Sequence, residues 1–377
     1  MAIDPVALAA ELVRCPSVTP AEGGALALLD RVLTGAGFDC VRIDRGGTPN
    51  LLARWGGGRP VIGLAGHTDV VPPGDPAAWS VDPFGGVIRD GYLWGRGACD
   101  MKSAVAAFAA AAAGHVAARP GRGGIMLLIT GDEEGPGTDG TRAILDWMAA
   151  RGLTMDACLV GEPTCPERLG EMVKIGRRGS LTARILAEGV QGHSAYPQRA
   201  ANPLPVLVRF LDRVASAELD RGSDHFEPST LAVTGIDTGN DAANVIPARA
   251  RAMLNIRFND RHRGADLLAW LRGQAARAAE GSGVTLTVEA SWSDAFLTEP
   301  GPFIDLVAGA VEAETGLRPV LSTSGGTSDA RFIKDHCPVA EFGLVGQTMH
   351  QVDERAAVAD IRALAAIYRR ILDGFMA

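Results

Sequence analysis

The sequence has no run of basic residues, no closely spaced pair of cysteines and no long apolar stretch. Its 377 residues include 36 Lys and Arg against 44 Asp and Glu, a formal net charge of −8. This balance predicts neither a nucleic acid nor a membrane surface as a partner. No uncharged apolar segment reaches the length of about 18 residues that a membrane-spanning helix needs. The segment Met1–Ala10 lacks the basic residues of a secretory signal, so we expect none.

The six cysteines are scattered along the chain and form no C-x-x-C pair. Such spacing is not typical of a thiolate zinc site or of a disulfide framework. We therefore expect a protein of the reducing cytoplasm.

The chain length and an apolar fraction of 47% predict two domains with a large core. Strand and helix patterns alternate up to about residue 160, with helices predicted from Asp4-Pro5 to Val13, over Ala21–Gly35 and over Lys102–Ala117. From about Ser180 the order changes to β-α-β-β-α-β, which is ferredoxin-like. The predicted fold class is α/β, with a larger domain of residues 1–179 and 293–377 and an inserted α+β domain of residues 180–292. A free edge strand of the inserted sheet is the predicted dimerisation surface.

Side chains of the metal-ligand type follow three apolar, strand-like runs. Each run leads through a glycine to such residues: Val61–Ala65 to His67 and Asp69, Ile125–Ile129 to Glu133 and Glu134, and Ala157–Val160 to Glu162. Because sites in open α/β sheets form at the carboxyl ends of strands, we expect these side chains to lie close together. Asp100, before the Ala-rich helix, and His350, near the end of the chain, are candidates for the same site.

Carboxylates held together must share protons or bind cations. Imidazole and carboxylate ligands without thiolate suit Zn²⁺, Co²⁺ or Mn²⁺. Each residue alone has a simpler interpretation, since His67 and Asp69 could be a surface pair, the adjacent glutamates a solvated face and Asp100 a helix N-cap. Their combination after strands of one sheet favours a metal cluster.

Several motifs resemble those of the M20 metallopeptidase and deacylase family. They are G-H-T-D-V-V-P at 66–72, W-G-R-G-A-C-D-M-K at 94–102, T-G-D-E-E-G at 130–135 and G-E-P-T at 161–164. Further segments are G-R-R-G-S at 176–180, Q-G-H-S-A-Y-P at 191–197, N-V-I-P at 244–247, S-G-G-T-S-D-A-R-F at 324–332 and M-H-Q-V-D-E at 349–354. The later segments narrow the resemblance to members that hydrolyse N-succinyl-L,L-diaminopimelate to succinate and L,L-diaminopimelate.

The resemblance implies a mixed-sheet zinc-hydrolase domain that holds two Zn²⁺ per subunit, with Co²⁺ or Mn²⁺ as possible substitutes. The implied ligands are His67 and Glu162 for one ion, Glu134 and His350 for the other, and Asp100 between them. Asp69 would orient the imidazole of His67, as carboxylate partners of ligating histidines do. Glu133 would be the general base.

The resemblance also implies a homodimer in which His193 of the partner subunit stabilises the oxyanion, with help from Asn244. The alternative for His193 is an ordinary loop histidine. The substrate would be a small anionic N-acyl amino acid, and guanidinium groups can bind its carboxylates through paired hydrogen bonds. The candidate substrate-binding residues are Arg177, Arg178, Tyr196, Asn244, Arg257, Gly326 and Thr327. The arginines could instead form a solvated face, and the loop around Gly326 could be an ordinary tight turn.

These expectations describe a metal-dependent amide hydrolase. Within the same family, deacetylation of acetylornithine or carboxypeptidase activity is the alternative, since such enzymes share the metal site and differ in the acyl pocket. A metal-binding scaffold without catalytic activity is the alternative from a different class.

Overall fold

The computed structural model describes residues 3–118 and 123–377. The chain folds into two compact units. The first comprises Met1–Ile175, Thr298–Ser322 and Ser328–Ala377, and the second comprises Gly176–Leu297 and Thr323–Thr327. The second unit therefore includes a short loop, Thr323–Thr327, that lies well outside residues 180–292.

The described residues form nine α-helices and nineteen strands. The helices are α1 (Pro5–Val13), α2 (Ala25–Gly35), α3 (Lys102–Ala118), α4 (Thr141–Ala149), α5 (Pro203–Ala215), α6 (Gly264–Ala279), α7 (Pro302–Thr315), α8 (Ala330–Ile333) and α9 (Val358–Phe375). The first ten strands are β1 (Asp39–Arg42), β2 (Asn50–Gly56), β3 (Val61–His67), β4 (Val87–Arg89), β5 (Tyr92–Trp94), β6 (Gly124–Thr130), β7 (Ala157–Val160), β8 (Met172–Lys174), β9 (Gly176–Arg177) and β10 (Gly179–Glu188). The others are β11 (Gly192–His193), β12 (Thr230–Asp237), β13 (Val245–Ile246), β14 (Arg249–Phe258), β15 (Thr285–Ser293), β16 (Phe296–Leu297), β17 (Val320–Ser322), β18 (Val339–Glu341) and β19 (Arg355–Ala357).

The first unit is built on an eight-stranded mixed sheet in the order β1-β2-β6-β3-β7-β18-β8-β17. At its centre β3 runs parallel to both β6 and β7, and β18 runs parallel to β7. Every residue of β3, β6 and β7 is buried, as expected for parallel strands covered on both faces. The predicted α/β class with a mixed sheet is confirmed.

Helix α3 is buried along most of its length and packs against α1 and α9. Its many alanines leave no polar face, and its Phe108 ring stacks on Tyr368 of α9 with ring centroids 4.2 Å apart. Such a helix belongs to the core of its unit. Helix α1 begins as predicted, because an Asp4 side-chain oxygen accepts a hydrogen bond from the Val6 N–H at 2.9 Å.

The predicted start of α2 at Ala21 is wrong, because the helix begins at Ala25. Gly23 and Gly24 have φ angles of +57° and +91°, in the left-handed region that an α-helix excludes. A Cβ atom at Gly23 would also lie 2.6 Å from the Pro16 carbonyl carbon. The chain therefore turns at these glycines before the helix can start.

The second unit contains a four-stranded antiparallel sheet in the order β12-β14-β10-β15. Along the chain its elements run β10-α5-β12-β14-α6-β15, so the predicted ferredoxin-like arrangement is confirmed. Inward-facing side chains of the strands form one core with α5 and α6, including Phe210, Leu254 and Leu271. Strands β12 and β15 are the two edges of this sheet.

In the described ranges we find no helix that combines the length and apolarity needed to cross a membrane. All six cysteines fall in these ranges, and each is a free thiol.

Candidate metal centre

The central strands of the first unit deliver three of the predicted ligand segments to one edge of the sheet. His67 ends β3 and lies opposite Thr130 at the end of β6, while Ala65 lies opposite Val160 at the end of β7. The segments that carry Glu133, Glu134 and Glu162 leave the sheet at these ends. Parallel pairing of buried strands therefore brings the predicted residues together.

Two glycines allow α3 to approach these strand ends closely. A Cβ atom at Gly66 would lie 2.5 Å from the Met101 methyl carbon, and one at Gly161 would lie 2.8 Å from the Phe108 ring. Because both positions lack a side chain, the start of α3 fits over the sheet edge. Asp100, two residues before the first residue of α3, reaches the same place.

Five side chains form two groups that share Asp100. His67, Asp100 and Glu162 form one group, and Asp100, Glu134 and His350 the other, with the candidate ligand atoms of each group all within 4.8 Å of one another. Asp100 Oδ1 lies 3.2 Å from His67 Nε2, and its Oδ2 lies 3.3 Å from His350 Nε2. Each group thus combines one imidazole nitrogen with two carboxylates, and one carboxylate spans both groups.

The remaining distances in the two groups are short. His350 Nε2 lies 2.8 Å from Glu134 Oε1, and His67 Nε2 lies 3.8 Å from Glu162 Oε1. His67, Asp100 and Glu162 are buried, whereas His350 is exposed. The first group is therefore enclosed, while the second opens toward solvent through His350.

The His67 ring is held by a backbone carbonyl. Its Nδ1 lies 2.9 Å from the main-chain oxygen of Asp69 and 3.7 Å from the Asp69 carboxylate. That carboxylate accepts hydrogen bonds from the N–H groups of Glu133, at 3.3 Å, and Glu134, at 2.9 Å. The Asp69 side chain is thus placed to hold the turn that carries both glutamates.

Crowding of acids and imidazoles shifts the proton affinity of the whole cluster. Burial raises the pKa of Glu133 to about 8, and the nearby acids Asp329, Glu134 and Asp100 add to the rise while His67 opposes it. Burial and neighbouring acids likewise raise the pKa of Glu162 well above its usual value. These carboxylates are close enough to repel one another unless a cation or protons lie among them.

The pKa shifts of the two histidines and of Asp100 favour the charged forms of these side chains. Hydrogen bonds to Asp100 and Glu134 raise the pKa of His350 to about 10. Burial lowers the pKa of His67, but the surrounding carboxylates outweigh that effect and raise it well above its usual value. Burial opposes ionisation of Asp100, but its hydrogen bonds to the histidines hold its pKa below the usual range. The cluster therefore attracts positive charge strongly.

Glu133 is close to both ligand groups and belongs to neither. Its Oε2 lies 4.0 Å from His67 Nε2, and its carboxyl group is only slightly exposed. A carboxyl group with a pKa near neutrality can accept and return a proton at ordinary pH. Its position and its pKa both suit a general base.

Three further predicted residues lie together in the second unit. His193 in β11 pairs with Val245 in β13, directly after Asn244. The rings of His193 and Tyr196 meet edge to face, with centroids 5.8 Å apart, and the Ser194 N–H donates to the Asn244 carbonyl at 3.0 Å. His193, Tyr196 and Asn244 thus form one exposed ribbon.

The predicted arginines and the glycine-rich loop also lie in the second unit. Arg177 donates to the Gly326 carbonyl at 2.9 Å, which fixes the loop that also contains Thr327. Burial and the neighbouring Arg178 guanidinium lower the pKa of Arg257. Arg178 lies 4.0 Å from Glu227, and its Nε is buried without a hydrogen-bond partner. The neighbouring guanidiniums of Arg178 and Arg257 form a pair of the kind that suits a carboxylate.

The sequence patterns gave no role to Arg96, Glu354 and Asp329, although all three lie in the quoted motifs. Asp329 is buried and accepts a hydrogen bond from the Thr141 hydroxyl at 2.7 Å, and its carboxylate helps to raise the pKa of Glu133. Arg96 and Glu354 form a buried ion pair. Arg96 lies four residues before Asp100 and Glu354 four residues after His350, and this closeness to predicted ligands is the signal that could have found them. Asp329 has no predicted ligand near it in the sequence.

Residues 63–374 match the peptidase family M20/M25/M40 over most of the chain. The chain belongs to this family. A succinyl-diaminopimelate desuccinylase of Cereibacter sphaeroides (strain ATCC 17025 / ATH 2.4.3) is 66% identical over 378 residues, covering 100% of each chain. A succinyl-diaminopimelate desuccinylase of Ruegeria pomeroyi is 62% identical over 380 residues, again covering 100% of each chain.

Among solved structures, the YXEP protein of Bacillus subtilis, described as a dinuclear metal binding peptidase of the M20 family, superimposes with a TM-score of 0.74. The match covers 99% of this chain and 97% of the other at 15% identity, so it shows the fold alone. Family membership, the desuccinylase relatives and the two ligand groups make the chain a metal-dependent amide hydrolase.

The donor set fits a dinuclear centre. Four carboxylates, from Asp100, Glu133, Glu134 and Glu162, surround two imidazoles, so cations are needed to balance the charge when the acids are ionised. The sharing of Asp100 between the two groups suits a carboxylate that bridges two ions.

Proposed function

We propose that this chain hydrolyses N-succinyl-L,L-diaminopimelate to succinate and L,L-diaminopimelate, a step toward lysine. The observation that carries the proposal is the pair of ligand groups sharing Asp100, with Glu133 beside them. The choice of substrate is supported by full-length relatives named succinyl-diaminopimelate desuccinylase, which are 62–66% identical to this chain. It is also supported by the adjacent arginines of the second unit.

The proposed cofactor is two Zn²⁺ per subunit, for which Co²⁺ or Mn²⁺ could substitute. His67, Glu162 and Asp100 would hold one ion, and Glu134, His350 and Asp100 the other. Divalent ions bound there supply positive charge that polarises an amide carbonyl and makes water more acidic.

Glu133 moves the protons in the proposed reaction. Its carboxylate accepts a proton from the water that attacks the amide carbonyl and returns that proton to the leaving amine. Burial and the surrounding acids raise the pKa of Glu133, so its carboxyl group holds a proton more readily than that of an ordinary glutamate. The Asp69 carboxylate keeps the turn that carries Glu133 in place.

The second unit supplies the proposed substrate contacts. Arg178 and Arg257 would bind a carboxylate of the substrate, and the loop at Gly326 and Thr327, held by Arg177, would offer backbone N–H groups to another. Tyr196 and Asn244 lie beside His193 in the exposed ribbon and would contact the amide region. A succinyl group has a distal carboxylate for such contacts, whereas an acetyl group has none.

We further propose a cytoplasmic homodimer in which an edge strand of the inserted sheet forms the interface. In that dimer, His193 of the partner subunit donates a hydrogen bond to the oxyanion. The free edges at β12 and β15 support the interface, and six free thiols support a reducing compartment.

The decisive experiment compares two substrates on the metal-loaded enzyme. Succinate release from N-succinyl-L,L-diaminopimelate and acetate release from N-acetylornithine are measured with added Zn²⁺ and with a chelator. We expect succinate release to be faster by orders of magnitude and to stop when metal is removed. Glu133→Gln should retain two metal ions and lose about 10²–10⁴-fold in kcat.

Each other outcome contradicts a different part of the proposal. Faster acetate release would reject the succinyl preference and favour a deacetylase. Release of a C-terminal amino acid from dipeptides at a higher rate would favour a carboxypeptidase. An unchanged rate in Glu133→Gln would reject this residue as the base, and metal binding without hydrolysis of any of these substrates would favour a scaffold.

A further inference from the structure

A buried ion pair lies next to the metal-ligand cluster of the first unit, in contact with the backbone of Asp100 and His350. Arg96 Nη1 and Glu354 Oε2 are 2.7 Å apart, and both side chains are almost fully excluded from solvent. Neither residue belongs to the two ligand groups. A buried ion pair gives little net stability compared with well-packed apolar residues, so this pair needs another explanation.

The glutamate holds the backbone of the shared ligand. Glu354 Oε1 accepts hydrogen bonds from the N–H of Cys99 at 3.0 Å and from the N–H of Asp100 at 3.2 Å. The carbonyl of Glu354 also accepts from the Gly95 N–H at 2.9 Å. The main chain that leads to Asp100 is therefore fixed to Glu354 at both ends.

The arginine holds the backbone of the other end of the cluster. Arg96 Nη2 donates to the His350 carbonyl at 3.3 Å and to the Pro72 carbonyl at 3.4 Å, and Nη1 donates to the Gln351 carbonyl at 3.2 Å. These bonds join the segment that carries His350 to the loop that follows His67.

The segment that carries His350 needs such support. His350 has a φ angle of +62° and Asp353 one of +61°, in the left-handed region that residues with a Cβ atom rarely adopt. Surrounding contacts must maintain such a conformation. Because His350 is exposed, packing of its own side chain contributes little, and the carbonyl contacts of Arg96 are placed to maintain it.

We propose that Arg96 and Glu354 are positioning residues that hold Asp100 and His350 at ligating distance and so set the affinity for the second metal ion. The ion pair connects the two sets of backbone contacts, because the Arg96 side chain and the Glu354 side chain hold each other in place. This inference rests on the proposed metal centre, whose two ions it takes as given. Arg96 and Glu354 touch neither substrate nor ion in this role.

The test measures metal affinity rather than turnover. Metal-free wild type, Glu354→Gln and Arg96→Lys are titrated with Zn²⁺ against a competing chelator, and the melting temperature is followed at each Zn²⁺ concentration. Glu162→Ala removes a ligand of the first group and His350→Ala removes one of the second group. The step lost in Glu162→Ala is called the first step, and the step lost in His350→Ala is called the second step. Because supporting partners of ligands typically contribute 10–100-fold to metal affinity, we expect the second step to weaken by about 10–100-fold. The first step should weaken less, since His350 belongs only to the second group.

Asp373→Asn is the matched control for lost stability. Asp373 pairs with the buried His115 at 2.7 Å and with Arg369 at 2.9 Å, in α9 of the same unit and outside the ligand groups. We expect this variant to melt at a lower temperature and to bind both ions as wild type does. If it weakens the second step as much as Glu354→Gln does, the inference is wrong and the effect is general destabilisation.

The double variant Arg96→Met/Glu354→Met guards against misfolding of the single variants, because it leaves no unpaired buried charge. We expect it to fold and still bind the second ion about 10–100-fold more weakly, since the backbone contacts are gone. Wild-type affinity at the second site in any folded variant would overturn the inference. If wild type itself bound fewer than two ions, the proposed metal centre would be wrong instead.

Discussion

The carboxylate of Asp69 is fully buried beside His67, yet its hydrogen bonds go to the backbone of another strand end. The resemblance to the M20 family implied that it orients the imidazole, as carboxylate partners of ligating histidines do. In the structure the main-chain oxygen of Asp69 is at hydrogen-bond distance from Nδ1, and the carboxylate is farther away at 3.7 Å. The side chain therefore acts on Glu133 and Glu134 through their N–H groups.

Asp69→Asn should separate these two roles. Asparagine has one acceptor oxygen, so one of the two N–H groups would face an amide donor and lose its partner, at a cost of about 1–3 kcal/mol in unfolding free energy. We expect kcat to fall by about 10-fold or more because the turn that carries Glu133 shifts. The affinity for the ion held by His67 should stay within about 3-fold of wild type, since its ring keeps the carbonyl contact.

Asp4→Ala provides the control for lost stability, because one Asp4 side-chain oxygen accepts from the N–H groups of both Val6 and Ala7 in an exposed helix cap, and alanine removes both bonds. It should lose stability and keep kcat. If Asp69→Asn keeps kcat and lowers metal affinity at the first site, then orientation of the imidazole is the main role after all.

At the scale of elements, the strand ends were predictable and the turns less so. Continuous apolar runs followed by ligand residues located β3, β6 and β7, because buried parallel strands have a simple sequence pattern. The start of α2 was missed, since it depends on left-handed glycines whose φ angles no pattern displays. The loop Thr323–Thr327 belongs to the second unit through a contact distant in sequence, between Arg177 and Gly326, which a local pattern does not contain.

The second unit contains a polar network that sequence patterns also did not reveal. Asp220 accepts hydrogen bonds from the N–H groups of Gly222 and Ser229, at 2.7 Å and 3.2 Å. It also accepts from the Asn259 amide at 2.5 Å and lies 2.9 Å from His262 Nε2. Although burial opposes its ionisation, these bonds hold the pKa of Asp220 below its usual range. The network ties the loop before β12 to the turn after β14.

Asp220→Asn should destabilise the second unit by about 1–3 kcal/mol at neutral pH, because the amide cannot accept all of these bonds. A lowered carboxyl pKa in the folded state adds stability above the unfolded pKa of about 3.9, and this stability is lost as pH falls. The difference between variant and wild type should therefore shrink below about pH 4. Urea unfolding between pH 3 and pH 7 measures this difference. Asp237→Asn is the control, because its amide oxygen can still accept from the Gly239 N–H and little stability should be lost at any of these pH values. A difference that does not change with pH would contradict the ionic origin.

At the scale of the whole molecule, the proposed chemistry draws on both units. Glu133 and all five candidate ligands lie in the first unit, whereas His193 and the arginines lie in the second. The net charge of −8 argues against polyanionic partners, but it carries no information about a small anionic substrate. Local charges bear on that point, since the acids of the candidate metal centre lie in the first unit and the proposed substrate-binding arginines lie in the second.

Mixed dimers would test whether the partner subunit supplies His193. His193→Ala alone should lose about 10²–10³-fold in kcat, as removal of one oxyanion donor does. If His193 acts across the dimer, co-expression with Glu133→Gln gives hybrids with one intact site, because one subunit keeps Glu133 and the other keeps His193. With random pairing in a two-fold dimer, about a quarter of the wild-type rate should return.

Hybrids of Glu133→Gln with Asp100→Asn, both altered in the first unit, should stay inactive. No recovery in dimers proven to be mixed would place His193 in the site of its own subunit or outside catalysis, and a monomeric mass in solution would reject the dimer itself.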